Sequence, residues 1–292
     1  MKAIIFGAGG QDAFFLNLLL KKNQIQTILV STSNAPIIGD VSDYSFVCNL
    51  VNLHKPDYIF HLAASSSTNH AFLFKNNSSI SNGTINILES VKVNSPSTKV
   101  FLSGSAMQFE NKGLPINEKT PFKASSHYSV ARIHSVYSAR YYREHFGLKI
   151  YVGYFFNHDS ELRSSMHVNR KIIDELKLVS FNKKNKIILG NPSVKKEFNF
   201  AGDIVNAIWQ LINQENVFEA VIGSGLAYSL QDWINIVSEI LNIKKKSFTI
   251  EINSKFKPEY DILVSDPKLI KSIGWTPNLD INDLALRMIK LI

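Results

Sequence analysis

Met1-Lys2-Ala3-Ile4-Ile5-Phe6-Gly7-Ala8-Gly9-Gly10-Gln11-Asp12-Ala13 is the stretch that decides the fold of this chain. Lys2–Phe6 is almost wholly apolar, the mark of a strand buried on both faces. Gly7, Gly9 and Gly10 then form a turn in which the backbone leaves the strand sharply. Gln11–Lys22 follows as a helix, with Phe14, Leu16, Leu18 and Leu19 expected to point inward. Such a turn lets the main chain approach a pyrophosphate, whose charge is stabilised by the NH groups at the helix start. Glycine turns are common between strands and helices, so the position carries the weight: this one heads a βαβ series. Where a third glycine is usual the chain has Ala13, still small enough for close helix packing.

The alternation continues outward from that stretch. Gln26–Ser31 reads as a second strand, Ile37-Ile38 as a short apolar piece before the Gly39-Asp40 turn, and Tyr44–Leu53 as a helix. Asp57–Leu62 is a strongly apolar strand that runs into a loop of small residues, Ala63–Thr68. Helix Ser79–Val93, strand Lys99–Ser103, helix Tyr128–His145 and strand Lys149–Phe155 complete the series. Repeated β-α-β units predict an α/β fold of Rossmann type, a doubly wound parallel sheet with helices on both faces. Beyond about residue 160 the pattern loosens into helices near Asn169–Leu178, Asp203–Asn213, Leu230–Leu241 and Ile281–Leu291, with short strands between. Residues 1–165 are therefore expected to form the dinucleotide-binding part, rejoined by segments near 197–222, and residues 166–292 a smaller α+β lobe for substrate.

Composition narrows the class without naming a function. The chain has 292 residues, 45% hydrophobic and 19% charged, as expected of a soluble globular protein. Its apolar runs break well short of the roughly 20 residues that a membrane span needs. The N-terminal run is also too short for a signal peptide. The single cysteine, Cys48, lies in an apolar stretch, reads as a small core residue and forms no internal disulfide, which suits a reducing cytoplasm. The net charge is +8, and of its lysine clusters the pairs at 183–184 and 195–196 suit an anionic small substrate. Nucleic acid is not expected, because the clusters lack aromatic interleaving or a helix-turn-helix context, and Lys244–Lys246 reads as a solvated face. No metal-ligand spacing occurs.

After the second strand stands Ser31-Thr32-Ser33, where an acidic residue would hold an unsubstituted ribose. Its absence removes a repulsion against a 2′-phosphate, and no arginine favours one, so NADP and NAD both remain open. Asp40 reads equally as an adenine contact or as a turn-capping residue.

Taken in order, the pieces Gly7–Asp12, His61-Leu62-Ala63-Ala64, Asn82-Gly83-Thr84, Tyr128 and Phe156-Asn157-His158-Asp159-Ser160 form one pattern. Val168–Lys171, Leu189-Gly190-Asn191 and Lys257-Pro258-Glu259 with Asp261 continue it. The chain resembles the extended short-chain dehydrogenases/reductases, and within them the GDP-mannose 4,6-dehydratases and the 4-keto sugar nucleotide reductases. The resemblance implies a cofactor over Gly7, Gly10, Gln11 and Asp12, with Leu62, Ala63 and Ala64 along its path and Tyr128, Arg132 and His158 at its far end. It implies that Ser66, Asn157, Lys171, Asn191, Lys196, Lys257 and Glu259 hold a nucleotide-linked sugar. Lys196 and Lys257 stand where the family tends to have arginine, so the bidentate fork on phosphate is lost there. It also implies a homodimer or homotetramer joined through the Tyr128 helix, whose Val130, Val136, Tyr137 and Tyr141 supply apolar surface either for a partner or for the chain's own core.

Hydride exchange at a sugar carbon needs a group that removes or returns the hydroxyl proton. In the resembled family a tyrosine does so, assisted by a lysine four residues later and by a Ser or Thr on the neighbouring strand. The counterparts here are Tyr128, Arg132 and Ser105. Arg132 keeps the positive charge but differs in bulk and planarity and relays no proton. A second departure lies two residues after Ser105, where the dehydratases carry the glutamate that abstracts a proton beside a transient 4-ketone. This chain has Met107, which is neither acid nor base, and Glu110 is offset. The expectation is an NAD(P)-dependent 4-keto reductase or 4-dehydrogenase acting at C4 of a GDP-linked hexose or heptose. A GDP-sugar 4,6-dehydratase using Glu110 or another acid is the first alternative, and a catalytically weak nucleotide-sugar-binding member the second.

Overall fold

The computed structural model describes residues 1–253 and 256–290, apart from the side chain of Lys245. Its frame is a seven-stranded parallel sheet. In chain order the sheet strands are β1 (Lys2–Phe6), β2 (Gln26–Ser31), β3 (Ile37–Ile38), β4 (Tyr58–His61), β5 (Lys99–Ser105), β6 (Ile150–Phe155) and β11 (Glu219–Ile222). They lie in the order β11-β6-β5-β4-β1-β2-β3, which reverses direction between β1 and β4. At that switch point, crossovers leave to opposite faces and open a crevice at the carboxyl ends of the strands.

Each face of the sheet carries its own core. On one side α1 (Gln11–Lys22) and α7 (Ala201–Ile212) pack together, with Phe15 edge-on to Phe200 at 5.1 Å. On the other lie α2 (Tyr44–His54), α4 (Gly83–Asn94) and α5 (His127–Phe146). The inward face of α1 differs from the sequence expectation. Ala13, Phe15, Leu16 and Leu20 are buried and Leu19 is half-buried, whereas Phe14 and Leu18 are 45% and 50% exposed. Positions 13, 16 and 20 share one stripe and 14 and 18 the opposite one, and α7 covers the first.

The helix expected over Ser79–Val93 begins earlier. α3 (Leu73–Asn76) runs through a wide π turn at Asn77–Asn82 into α4. Gly83 ends that turn where space is tight: a Cβ there would sit 2.9 Å from Val41 and 3.2 Å from His61 Nε2. Cys48 is half-buried rather than fully in the core, with Asn94 Nδ2 3.2 Å from its sulfur. On α5, Val130, Tyr137 and Tyr141 are exposed, but Val136 is in the core and offers nothing to a partner.

The remaining strands make small sheets beside the crevice. β7 (His158–Asp159) pairs with β10 (Asn199–Phe200), and β9 (Lys195–Glu197) lies between β12 (Ala227–Ser229) and β14 (Ile262–Leu263). β8 (Lys186–Leu189) pairs with β13 (Thr249–Ile252), flanked by α6 (Val168–Ser180) and α8 (Leu230–Ile240). The buried Glu197 carboxylate ties this region together by accepting from Ser265, Ser224 and Asn199. The last helix, α9, is described over Ile281–Lys290, and Leu291 lies outside the described residues. Lys244 and Lys246 are exposed, and the side chain of Lys245 is not described. Among the described residues no helix is long and apolar enough to cross a membrane, and no cluster of three or more ligating side chains could hold a metal.

Candidate active site

Three connected depressions follow the carboxyl ends of the strands. A trough beside β1, β2 and β4 is lined by Gly7, Gly10, Gln11, Asp12, Asp40, Leu62, Ala63 and Ala64. A central cavity is lined by Ser105, Met107, Tyr128, Arg132, Asn157 and His158. An outer pocket collects Lys171, Asn191, Lys257 and Glu259. Asp12, Leu62, Ser66 and Arg163 line both trough and cavity, and Lys196 lines both cavity and outer pocket. The three therefore form one path. The trough holds most of the cofactor candidates, and the cavity holds Ser105, Tyr128, Arg132 and His158, while the substrate candidates are spread from Ser66 at the trough through Asn157 in the cavity to the outer pocket.

The trough suits a dinucleotide. Gly7 has φ +91°, and a Cβ there would stand 2.6 Å from the Ala63 amide nitrogen, so only glycine lets the two segments close. Gly10 caps α1 without a side-chain bond, leaving the first amides of the helix for an anion. The side chains of Gln11 and Asp12 are already committed. Gln11 accepts from Ser160 Oγ at 2.7 Å, and Asp12 faces His158 Nε2 at 3.0 Å. Asp40 lines the trough and also caps its own turn, accepting from Ser42 N at 2.8 Å. Ser31 and Thr32 lie at the trough's β2 end.

His158 stands between two acceptors, with Nδ1 2.8 Å from Phe156 O and Nε2 3.0 Å from the Asp12 carboxylate. Burial opposes its charge, but Asp12 outweighs burial and holds the histidine above its usual range. An acceptor at each ring nitrogen holds the imidazole in place on the cavity wall beside Asp12.

In the cavity, β5 delivers Ser105 and α5 delivers Tyr128 and Arg132. Ser126 and Ser129 cap the start of α5 reciprocally, which sets Tyr128 in its first turn. Arg132 Nε donates to the Tyr128 oxygen at 3.3 Å, and Nη1 donates to Ser103 Oγ at 2.8 Å and to the Ser103 carbonyl. Ser105 Oγ accepts from Met107 N at 3.2 Å, which leaves its own proton free for a ligand. His61 lies fully buried behind this group. Burial and the nearby Arg132 charge push it down to about 3, so it is neutral and adds no competing charge.

Met107 is on the cavity wall, packed with Tyr128, Ile80 and Ala131. Glu110 is not: it pairs with Lys112 at 3.0 Å and Lys123 at 3.3 Å on the outer side. The two cavity carboxylates are both engaged, Asp12 by His158 and Asp159 by Arg163 at 2.6 Å and Asn169 at 2.6 Å.

Lys196 is a buried cation left unspent. It is 8% exposed, and among the described residues no hydrogen bond or ion pair takes its ammonium, which lies 5.5 Å from the Phe198 ring centroid. Burial lowers it to about 8 despite the nearby Asp159. In the outer pocket Lys171 is exposed with Nζ 3.4 Å from Ile188 O, Asn191 Oδ1 accepts from Ser193 N at 2.9 Å, and Glu259 accepts from the Thr68 hydroxyl. Ser66 holds a left-handed φ of 47° at the junction.

Sequence reasoning missed several lining residues. Arg163 lines trough and cavity alike, Thr68 reaches Glu259 across the cleft, and Ser103 holds Arg132. Arg163 had a signal, a basic residue three positions after the quoted Ser160. Thr68 and Ser103 had none, because each acquires its role from a partner distant in the chain.

Comparison with known proteins gives a family and a fold. The family model described as GDP-mannose 4,6 dehydratase matches residues 4–288. A relative, GDP-mannose 4,6 dehydratase 1 of Arabidopsis thaliana, is 27% identical over 98% of this chain and 88% of its own length. The solved UDP-glucose 4-epimerase of Thermotoga maritima superposes with a TM-score of 0.86 at 18% identity, covering 99% of this chain and 97% of that one. RMD from Pseudomonas aeruginosa, solved with NADPH, gives 0.84 at 17% identity, covering 99% and 96%. At these identities the two solved structures share the fold.

Proposed function

The chain belongs to the GDP-mannose 4,6-dehydratase family, and from that premise we propose an NADP- or NAD-dependent enzyme that exchanges hydride at C4 of a GDP-linked hexose. The trough would hold the dinucleotide at the start of α1, and a nicotinamide bound there would supply or accept the hydride. Tyr128 then takes or returns the C4 hydroxyl proton, Ser105 bonds the same oxygen, and Arg132 favours the phenolate by its fixed charge. Lys196 would neutralise the sugar-nucleotide diphosphate, with Asn157, Lys171, Asn191, Lys257 and Glu259 around it, so the lobe 166–292 would carry nucleotide recognition.

Two overall reactions share that C4 step. The names of the relatives support 4,6-dehydration over 4-keto reduction. The cavity supports redox without elimination. Its carrying observation is Met107 on the wall, with Glu110 turned outward and both cavity carboxylates engaged. Elimination needs a base at that wall, and redox at C4 does not.

Product mass decides between them. Pure protein incubated with GDP-hexoses and with their 4-keto derivatives is expected to change substrate mass by two hydrogens, in step with cofactor absorbance. Loss of one water would establish the dehydratase reading instead, and binding without any product would point to a member that does not turn over.

A further inference from the structure

We infer that Ser103 is a positioning residue that allows an arginine to serve beside Tyr128, an inference that rests on the C4 reading above. Arg132 follows Tyr128 by four residues on α5, so the two share a face. Its guanidinium is a rigid plane with donors in fixed directions. Fixing one nitrogen therefore aims the others. Nη1 is fixed by Ser103 through Oγ at 2.8 Å and through the carbonyl, and Nε then meets the Tyr128 oxygen at 3.3 Å.

The serine hydroxyl can play only one part there. Its proton is donated to His61 O at 2.9 Å, so toward Arg132 it is an acceptor. Ser103 is 4% exposed and Arg132 also 4%, so no water competes for this bond. A buried guanidinium without such an acceptor would have to turn toward whatever polar group remained. Of the two Ser103 acceptors, the carbonyl belongs to β5 and is present with any residue. The hydroxyl is what the identity of residue 103 adds.

A double-mutant cycle on the full chain tests this, with Ser103→Ala and Arg132→Lys made singly and together. Steady-state kinetics are read alongside the proton exchange of the Arg132 Nε–H in 15N NMR. Ser103→Ala is expected to lower kcat about tenfold, the value of one charge-assisted hydrogen bond, and to speed Nε–H exchange. KM for the sugar nucleotide should stay within about twofold, and Ser103→Thr, which keeps the hydroxyl, should recover both readouts. In the Arg132→Lys background, Ser103→Ala should cost no more than about twofold, because the orphaned His61 carbonyl is common to both backgrounds. An equal cost in both backgrounds, or unchanged Nε–H exchange in Ser103→Ala, would overturn the assignment. If the wild type turns over no sugar nucleotide, the C4 reading fails, and the exchange rates still decide whether Ser103 holds Arg132.

Discussion

Replacing Tyr128 by Phe is expected to lower kcat about 10²- to 10⁴-fold, the range by which a positioned proton-transfer group accelerates a reaction. The change deletes one oxygen and leaves the ring that packs with Ile80 and Ala131. Arg132 stays anchored at Ser103, so the cavity should keep its shape and the protein its melting temperature. KM for the sugar nucleotide should move little, because the phenol acts in the transition state rather than in binding. Cofactor absorbance under saturating substrate, with the melting curve beside it, checks both halves. Activity within about tenfold of wild type would remove Tyr128 from proton transfer, since a merely bound hydroxyl is worth about two- to twelvefold.

Lys196→Met should fall on the other kinetic constant. Removing this buried cation, uncommitted among the described residues, is expected to raise KM by about 10- to 150-fold, the 1.5–3 kcal/mol of a hydrogen bond to a charged group. The pH dependence follows from its lowered pKa of about 8. Below that value the free enzyme carries the ammonium that a diphosphate needs. As pH rises through about 8 the proton is lost, and kcat/KM should fall by up to tenfold per further unit. The bound diphosphate favours the charged form, so kcat at saturation should fall later than kcat/KM. Lys196→Arg should restore affinity and abolish this alkaline limb, because arginine stays charged. A limb that persists unchanged in Lys196→Arg would assign it to another group.

The parts of the fold legible in the sequence are those fixed locally. Lys2–Phe6 and the glycines after it need no distant partner to read as strand and turn, and Gly7 does adopt the left-handed φ. The inward face of α1 was misread because Phe14–Leu16 and Leu18–Leu20 put apolar residues on every side of the helix. Only α7, far along the chain, decides which side is covered. The same division holds in the cavity. Ser105, Met107 and Tyr128 stood out by order along the chain and meet on one wall. Ser103 and Thr68 are ordinary hydroxyls until folding brings Arg132 and Glu259 to them. Glu110 looked close enough in sequence to replace a missing base, but the turn after β5 directs it to two surface lysines.

Transfer of label from C4 is the most direct test of the account. A GDP-hexose deuterated at C4 is incubated with the protein and the oxidised cofactor, and the position of deuterium is followed by NMR. Hydride exchange at C4 predicts that deuterium leaves the sugar carbon and appears on the nicotinamide ring, with no loss of water from the sugar. Deuterium retained at C4 of a newly formed product would contradict it.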